Sequence, residues 1–179
     1  MTSFATDPSY PTCEYDPIPF SVEQKIECLA DIKFLPLQIE NAILSLDETQ
    51  LQTPYREGGW TVHQVVHHVA DSHLNAYCRF KITLTEENPT IKTYEEQLWA
   101  EMHDVKKLPV NISVTLLHAL HTRWHEALKY VTDDEWNNRT AYHPGLKKTV
   151  RLWFLLGLYA WHGKHHVAHI TSLRERMKW

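Results

Sequence analysis

The sequence predicts an all-α fold, a four-helix bundle behind a proline-rich arm, and three observations carry that prediction. Apolar residues recur at helical spacing in four long stretches, and helix start signals stand ahead of several of them. No run alternates with period two for long enough to make a strand, and no internal repeat is visible. At 179 residues the chain has the size of one domain and buries its core without disulfide or metal staples. Seven Trp and eight Tyr make that core unusually aromatic and favour rigid packing.

Residues 1–20 form the arm. Pro8, Pro11, Pro17 and Pro19 exclude a regular helix or strand there, while Phe4, Tyr10, Tyr15 and Phe20 are expected to pack on the bundle domain, residues 21–179, or on a neighbouring subunit. Ser21 is an N-cap, and Val22, Ile26, Leu29, Ile32 and Leu35 follow on one helix face. Pro36 should kink or split this helix, after which Leu37, Ile39, Ile43, Leu44 and Leu46 carry the apolar face onward. Asp47 opens a turn, and residues 53–59 read as loop.

The second helix has the clearest start. Thr61 and Gln64 form a capping box, Val62, Val65, Val66, Val69, Ala76 and Phe80 give the apolar face, and the helix should end near Leu84 ahead of Asn88-Pro89. Beside that face runs a polar stripe of His68, Ser72, Asn75 and Arg79, which is either a solvated surface or the lining of a pocket. A short helix is expected within residues 94–102. The third long helix begins near Asn111, turns Val114, Leu117, Leu120, Trp124 and Leu128 inward, and stops by Val131; Thr132 to Glu135 is another capping box. Tyr142 to Gly145 reads as a turn, Lys147 to Val150 as a brief extended link, and Thr149 as the cap of the last helix.

That last helix carries the chemistry. From Leu152 to Leu173 it is the most apolar stretch of the chain, and it holds four of the thirteen histidines. Leu152, Leu155, Tyr159, His162, His166, His169 and Leu173 fall on one stripe, and His165 with His169 forms a second pair one turn apart. Two imidazoles at this spacing can hold one divalent metal, although an isolated pair is more often a polar helix end or a satisfied core histidine. A bundle site needs a third ligand from another helix. His63, His67, His68 and His73 on the second helix offer it, His118, His121 and His125 on the third compete, and spacing alone does not choose among them.

Two stretches make the sequence recognisable. Tyr55 to His73, YREGGWTVHQVVHHVADSH, and Trp161 to Ile170, WHGKHHVAHI, together with Tyr142-His-Pro144 and Arg79-Phe-Lys81, resemble the YfiT branch of the DinB-like superfamily, which includes bacillithiol transferases. The resemblance implies a DinB-like four-helix bundle, often a homodimer, that binds one divalent metal per subunit, zinc ahead of nickel. It implies a His on the second helix and the H-x-x-x-H pair of the last as ligands. Carried over by motif, these are His68, directly before Val69-Ala70-Asp71, with His162 and His166. His169 stands where many relatives carry a residue such as Gln and is expected to support a ligand or line the pocket. Lys164 and His165 are expected to face away, and His67 and Asp71 to make surface or dimer contacts.

Three neutral imidazoles leave an open coordination position, the arrangement of catalytic zinc sites. Water there falls in pKa from about 15.7 to roughly 7, which makes a hydrolase, and the family's usual label is a metal-dependent hydrolase. A low-molecular-weight thiol in the same place makes a thiol S-transferase instead. A non-catalytic metal-binding stress protein is the third reading. Arg79 and Asn75 are expected to orient an anionic or amide-bearing small molecule, Ser72 or a nearby carboxylate to hold the ligand on the metal, and Trp60, Tyr159 and Trp161 to be core packing. A formal charge of -4 gives no basic field for nucleic acid or an anionic membrane. Cys13, Cys28 and Cys78, odd in number and without C-x-x-C spacing, suit a reducing cytoplasm, and no signal segment or membrane span is expected.

Overall fold

A computed structural model describes residues 9–179. Phe4 and Pro8 of the expected arm lie outside the described residues. Four long helices make the bundle: α1 (Val22–Ile43), α3 (Val62–Thr85), α6 (Val110–Leu128) and α8 (Leu152–Met177). Shorter helices α2 (Glu48–Leu51), α4 (Glu96–Trp99), α5 (His103–Lys107) and α7 (Asp133–Asn138) fill the connections, with a hairpin of β1 (Thr140–His143) and β2 (Lys148–Arg151) before α8. Both α1 and α3 pack against α6 and α8. No helix among the described residues is long and apolar enough to cross a membrane.

Local chemistry explains most of the boundaries. The hydroxyls of Ser21, Thr61 and Thr132 each accept the amide three residues on, and the boxes at Thr61 and Thr132 close in both directions. Asp47 and Gln50 form a further box that caps α2 where only a turn was expected. The last helix departs from expectation: Thr149 lies within β2, and the amide of Leu152 instead donates to the Arg139 carbonyl at 2.8 Å. The hairpin itself escapes a periodicity reading because each strand has only four residues. Its register pairs Ala141 with Val150, both buried, and the Tyr142 amide and carbonyl bond Pro89 and Ile91.

Pro36 sits buried inside α1, and the helix runs through it without the expected split. A proline leaves the carbonyl four residues earlier without its helical donor. That carbonyl is Ile32, and His121 Nδ1 on α6 takes the empty place.

The core falls into two apolar clusters. One gathers Phe80, Trp124, Trp136, Leu152, Leu155 and Leu156; the other gathers Ile39, Val62, Val66, Val69, Leu117 and Ile170. Between them α3, α6 and α8 contribute a layer of imidazoles: His68 and His73, His121, and His162, His166 and His169. Gly163 lies beside this layer because a Cβ there would stand 2.7 Å from Leu35 Cδ2 of α1.

The described part of the arm lies along α8. Tyr15 packs edge-on to Phe154 at 5.5 Å and Phe20 edge-on to Trp153 at 5.1 Å. The indoles of Trp153 and Trp161 donate to the carbonyls of Ile18 and Cys13. Tyr15 also fits over Gly157, where a Cβ would come within 2.5 Å of its hydroxyl.

Candidate metal centre

His68 comes from the middle of α3, and His162 and His166 from successive turns of α8. Their Nε2 atoms converge: His162 lies 3.4 Å from His68 and 3.2 Å from His166, and the three donors all lie within 4.8 Å of one another. A tetrahedral ion with Zn–N bonds of 2.0–2.1 Å separates its ligand nitrogens by about 3.3 Å, so the two shorter spacings are those of a coordination edge. The donor set is all imidazole, which suits zinc and nickel and not the oxygen-seeking calcium or magnesium.

Electrostatics keep these rings ready to ligate. Burial, with His169 second, holds His68 down to about 4, and burial followed by neighbouring imidazoles holds His162 and His166 well below the ordinary imidazole range. All three are neutral near pH 7, the form in which His binds a metal.

The same shifts make the metal-free protein acid-sensitive. His68, His121 and His169 are each held at about 4, with burial the first cause, against about 6.5 in an unfolded chain. As pH falls through 6.5 the unfolded state takes up protons that the native state refuses, so stability present above pH 6.5 is lost down to pH 4. Asp71, raised to about 6 by burial and then by Asp104, acts with the opposite sign over part of that window, one carboxyl against several imidazoles. The urea midpoint of chelator-treated protein should therefore drop steadily between pH 6.5 and 4.5; a flat profile would mean that the layer is charged in the native state.

The three donors open on a cleft of about 370 Å³. Trp60 and Trp161 form walls, where core packing was expected: the Trp60 ring lies 4.5 Å from His68, and Trp161 stacks on His165 at 4.6 Å. Tyr10 from the arm, Tyr55, Arg56 and Glu96 are also among the lining residues. Tyr55 and Arg56 had no expected role, and Tyr10 was expected only to pack on the bundle or a neighbouring subunit. Tyr55 nonetheless lies flat on His169, with ring centroids 4.0 Å apart.

Several histidines sit elsewhere than expected. His67 is buried, bonding Ser113 Oγ at 2.7 Å and the Leu108 carbonyl at 3.2 Å, so it joins α3 to α6 and is no surface contact. His63 bonds the Val105 carbonyl, and His118 pairs with Glu40 on the outside. His165, expected to face away from the metal, lies outside the donor trio but lines the same cleft and bonds Thr12 of the arm, and Lys164 points out, to Asp31.

Arg79, Asn75 and Ser72 are not among the residues that line the cleft. The Arg79 guanidinium is buried; Nε and Nη2 donate to the Lys92 carbonyl and Nη1 to the Tyr159 hydroxyl. Asn75 Nδ2 donates to the Asp71 carbonyl of its own helix.

The profile of the DinB superfamily matches residues 38–170, from the second half of α1 to the last turns of α8. The chain belongs to the DinB superfamily. Its DinB relatives include a Bacillus cereus protein 52% identical over 161 residues, covering 90% of this chain and 91% of that one, and a Bacillus anthracis protein with the same figures; both are named "Putative metal-dependent hydrolase". Among solved DinB-type structures, YfiT from Bacillus subtilis superposes with a TM-score of 0.92 at 47% identity, over 96% of this chain and 98% of YfiT. That protein is described as a probable metal-dependent hydrolase with an unusual four-helix bundle topology.

Proposed function

We propose that this chain is a metal-dependent hydrolase in which His68, His162 and His166 hold one divalent ion, zinc ahead of nickel, at the floor of the cleft. The observation that carries the reading is the convergence of three imidazole donors from two helices far apart in sequence, with two of their three Nε2 spacings those of a coordination edge. The names of the relatives support the same class. A divalent ion with an open position supplies Lewis acidity and a nucleophile at neutral pH.

The protein's own residues do the rest. Trp60, Trp161, Tyr55 and Tyr10 form an aromatic cleft that holds an apolar portion of a small molecule and thins the water around the donors. Arg56, at the same wall, is the cation that would orient an anionic group, the role first assigned to Arg79. Arg79 steadies the floor from behind through Tyr159, whose ring meets His73 and His162 edge-on at 5.8 and 6.2 Å.

The test is an activity panel on zinc- and nickel-loaded protein with ester, amide and thiol-plus-electrophile substrates. Hydrolysis abolished by chelation and restored by the ion is expected. Consumption of a thiol together with the electrophile, without hydrolysis products, would make the protein a thiol S-transferase, and metal binding with neither activity would make it a binding protein.

A further inference from the structure

Three histidines of the layer, His73, His121 and His169, have no part in the donor trio, yet each is buried and each touches another imidazole. Two neutral imidazoles can share a proton in either direction, so such a contact alone has no polarity. A backbone carbonyl has one, because it only accepts. Both strings of imidazoles in this layer end on a backbone carbonyl.

The first string starts at Pro36. With no amide at that position the Ile32 carbonyl faces His121 Nδ1, which must therefore carry the hydrogen. A neutral ring has one N–H, so His121 Nε2 bears a lone pair and His73 Nδ1, 3.1 Å away, must donate to it. His73 Nε2 is then an acceptor, and His162 Nδ1 at 3.2 Å must donate in turn. The lone pair of His162 is thereby left on Nε2, the atom that converges with His68 and His166.

The second string is shorter and runs to the arm. His169 Nε2 donates to the Ser9 carbonyl at 3.3 Å, which leaves its Nδ1 as an acceptor for His166 Nδ1, also at 3.3 Å. His166 Nε2 is left bare in the same way.

We propose that His73 and His121 on one side, and His169 on the other, are positioning residues that fix the tautomer of the two α8 donors, each string taking its direction from a backbone carbonyl. The purpose of the device rests on the metal-centre reading; its geometry does not. Free histidine in water keeps its neutral proton mostly on Nε2, which would aim an N–H at the ion. A carboxylate behind each donor is the commoner way to reverse that preference, but it brings a buried charge. Imidazoles strung to a carbonyl reverse it with none, so the ion keeps its full positive charge toward substrate.

Long-range 1H–15N correlation spectra of the metal-free, 15N-labelled protein read the tautomers directly, with rings assigned by single substitutions. Nδ1–H forms are expected for His73, His121, His162 and His166, and the Nε2–H form for His169; an Nε2–H form at His162 overturns the proposal. Zinc competition titrations give the second readout. His73→Leu should weaken binding about 10- to 100-fold, and His73→Gln, which can accept at one end and donate at the other, should recover at least half of that loss on a logarithmic scale. A folded His73→Leu protein within about threefold of the parent, or a Gln variant no better than Leu, would refute the positioning role. If His73→Leu does not fold, the tautomers of the parent decide alone. A parent that takes up no zinc removes the metal-centre reading and this purpose together, whereas zinc uptake with the wrong tautomer removes this proposal only.

Discussion

His162→Ala protein is expected to lose stoichiometric zinc uptake, with affinity down by more than about 100-fold, and His166→Ala to do the same. Outer partners of a ligand are worth roughly 10- to 100-fold each, and a ligand is worth more. Removing His162 takes away the donor that lies close to both of the others, at 3.4 and 3.2 Å. It also strands His73, whose Nε2 loses its donor inside the layer. His165→Ala is the matched control: it deletes an imidazole of the same helix, with its Thr12 bond and its Trp161 stack, but no member of the trio. Its zinc stoichiometry should stay at one. Full metal in His162→Ala would sink the ligand assignment, and loss in His165→Ala would put the ion on the other face of α8.

The second large effect is on stability. Trp124 is fully buried on α6, where the aromatic cluster meets the imidazole layer, and its ring meets Phe80, His73, His121 and Tyr159 edge-on. Trp124→Ala should cost about 3–5 kcal/mol, a large share of the 5–15 kcal/mol typical of a domain. For a chain of this length that lowers the melting temperature by roughly 6–20 °C. The cavity would open against both His73 and His121, so zinc affinity should fall along with stability. Thermal melts of the chelated protein, with Trp124→Phe for comparison, measure the first effect; a loss under about 1 kcal/mol would show that the layer does not depend on this indole for support.

The long helices were legible because their signals are local. Ser21, Thr61 and Thr132 cap what their side chains predict, and the apolar stripes of α3, α6 and α8 do go inward. The pairing of His162 with His166 is local too, since residues four apart share a helix face whatever the fold, but spacing left four histidines of α3 open and only the family resemblance singled out His68, whose ring converges with theirs. What failed depends on partners from elsewhere in the chain. Pro36 was expected to kink or split α1, and the helix is not split; nothing local shows that a histidine 85 residues on bonds the bared carbonyl, the Ile32–His121 separation being 89 residues. Trp60 and Trp161 read as core because an aromatic residue looks alike whether its far side meets protein or a cleft. Arg79 shares the stripe of His68, but the segment after α3 folds back and the Lys92 carbonyl captures the guanidinium. The hairpin was too short to have a period.

The span between the donors has a mechanical meaning for the whole chain. His68 and His162 lie 94 residues apart, so an ion shared between them would act as a removable cross-link that closes about half of the 179-residue chain into one loop. A permanent tie across a loop of ~100 residues removes about 4.7 kcal/mol of unfolded-state entropy at 25 °C. Loading and stripping the centre would therefore shift the balance between the folded and the opened chain, quite apart from any turnover in the cleft.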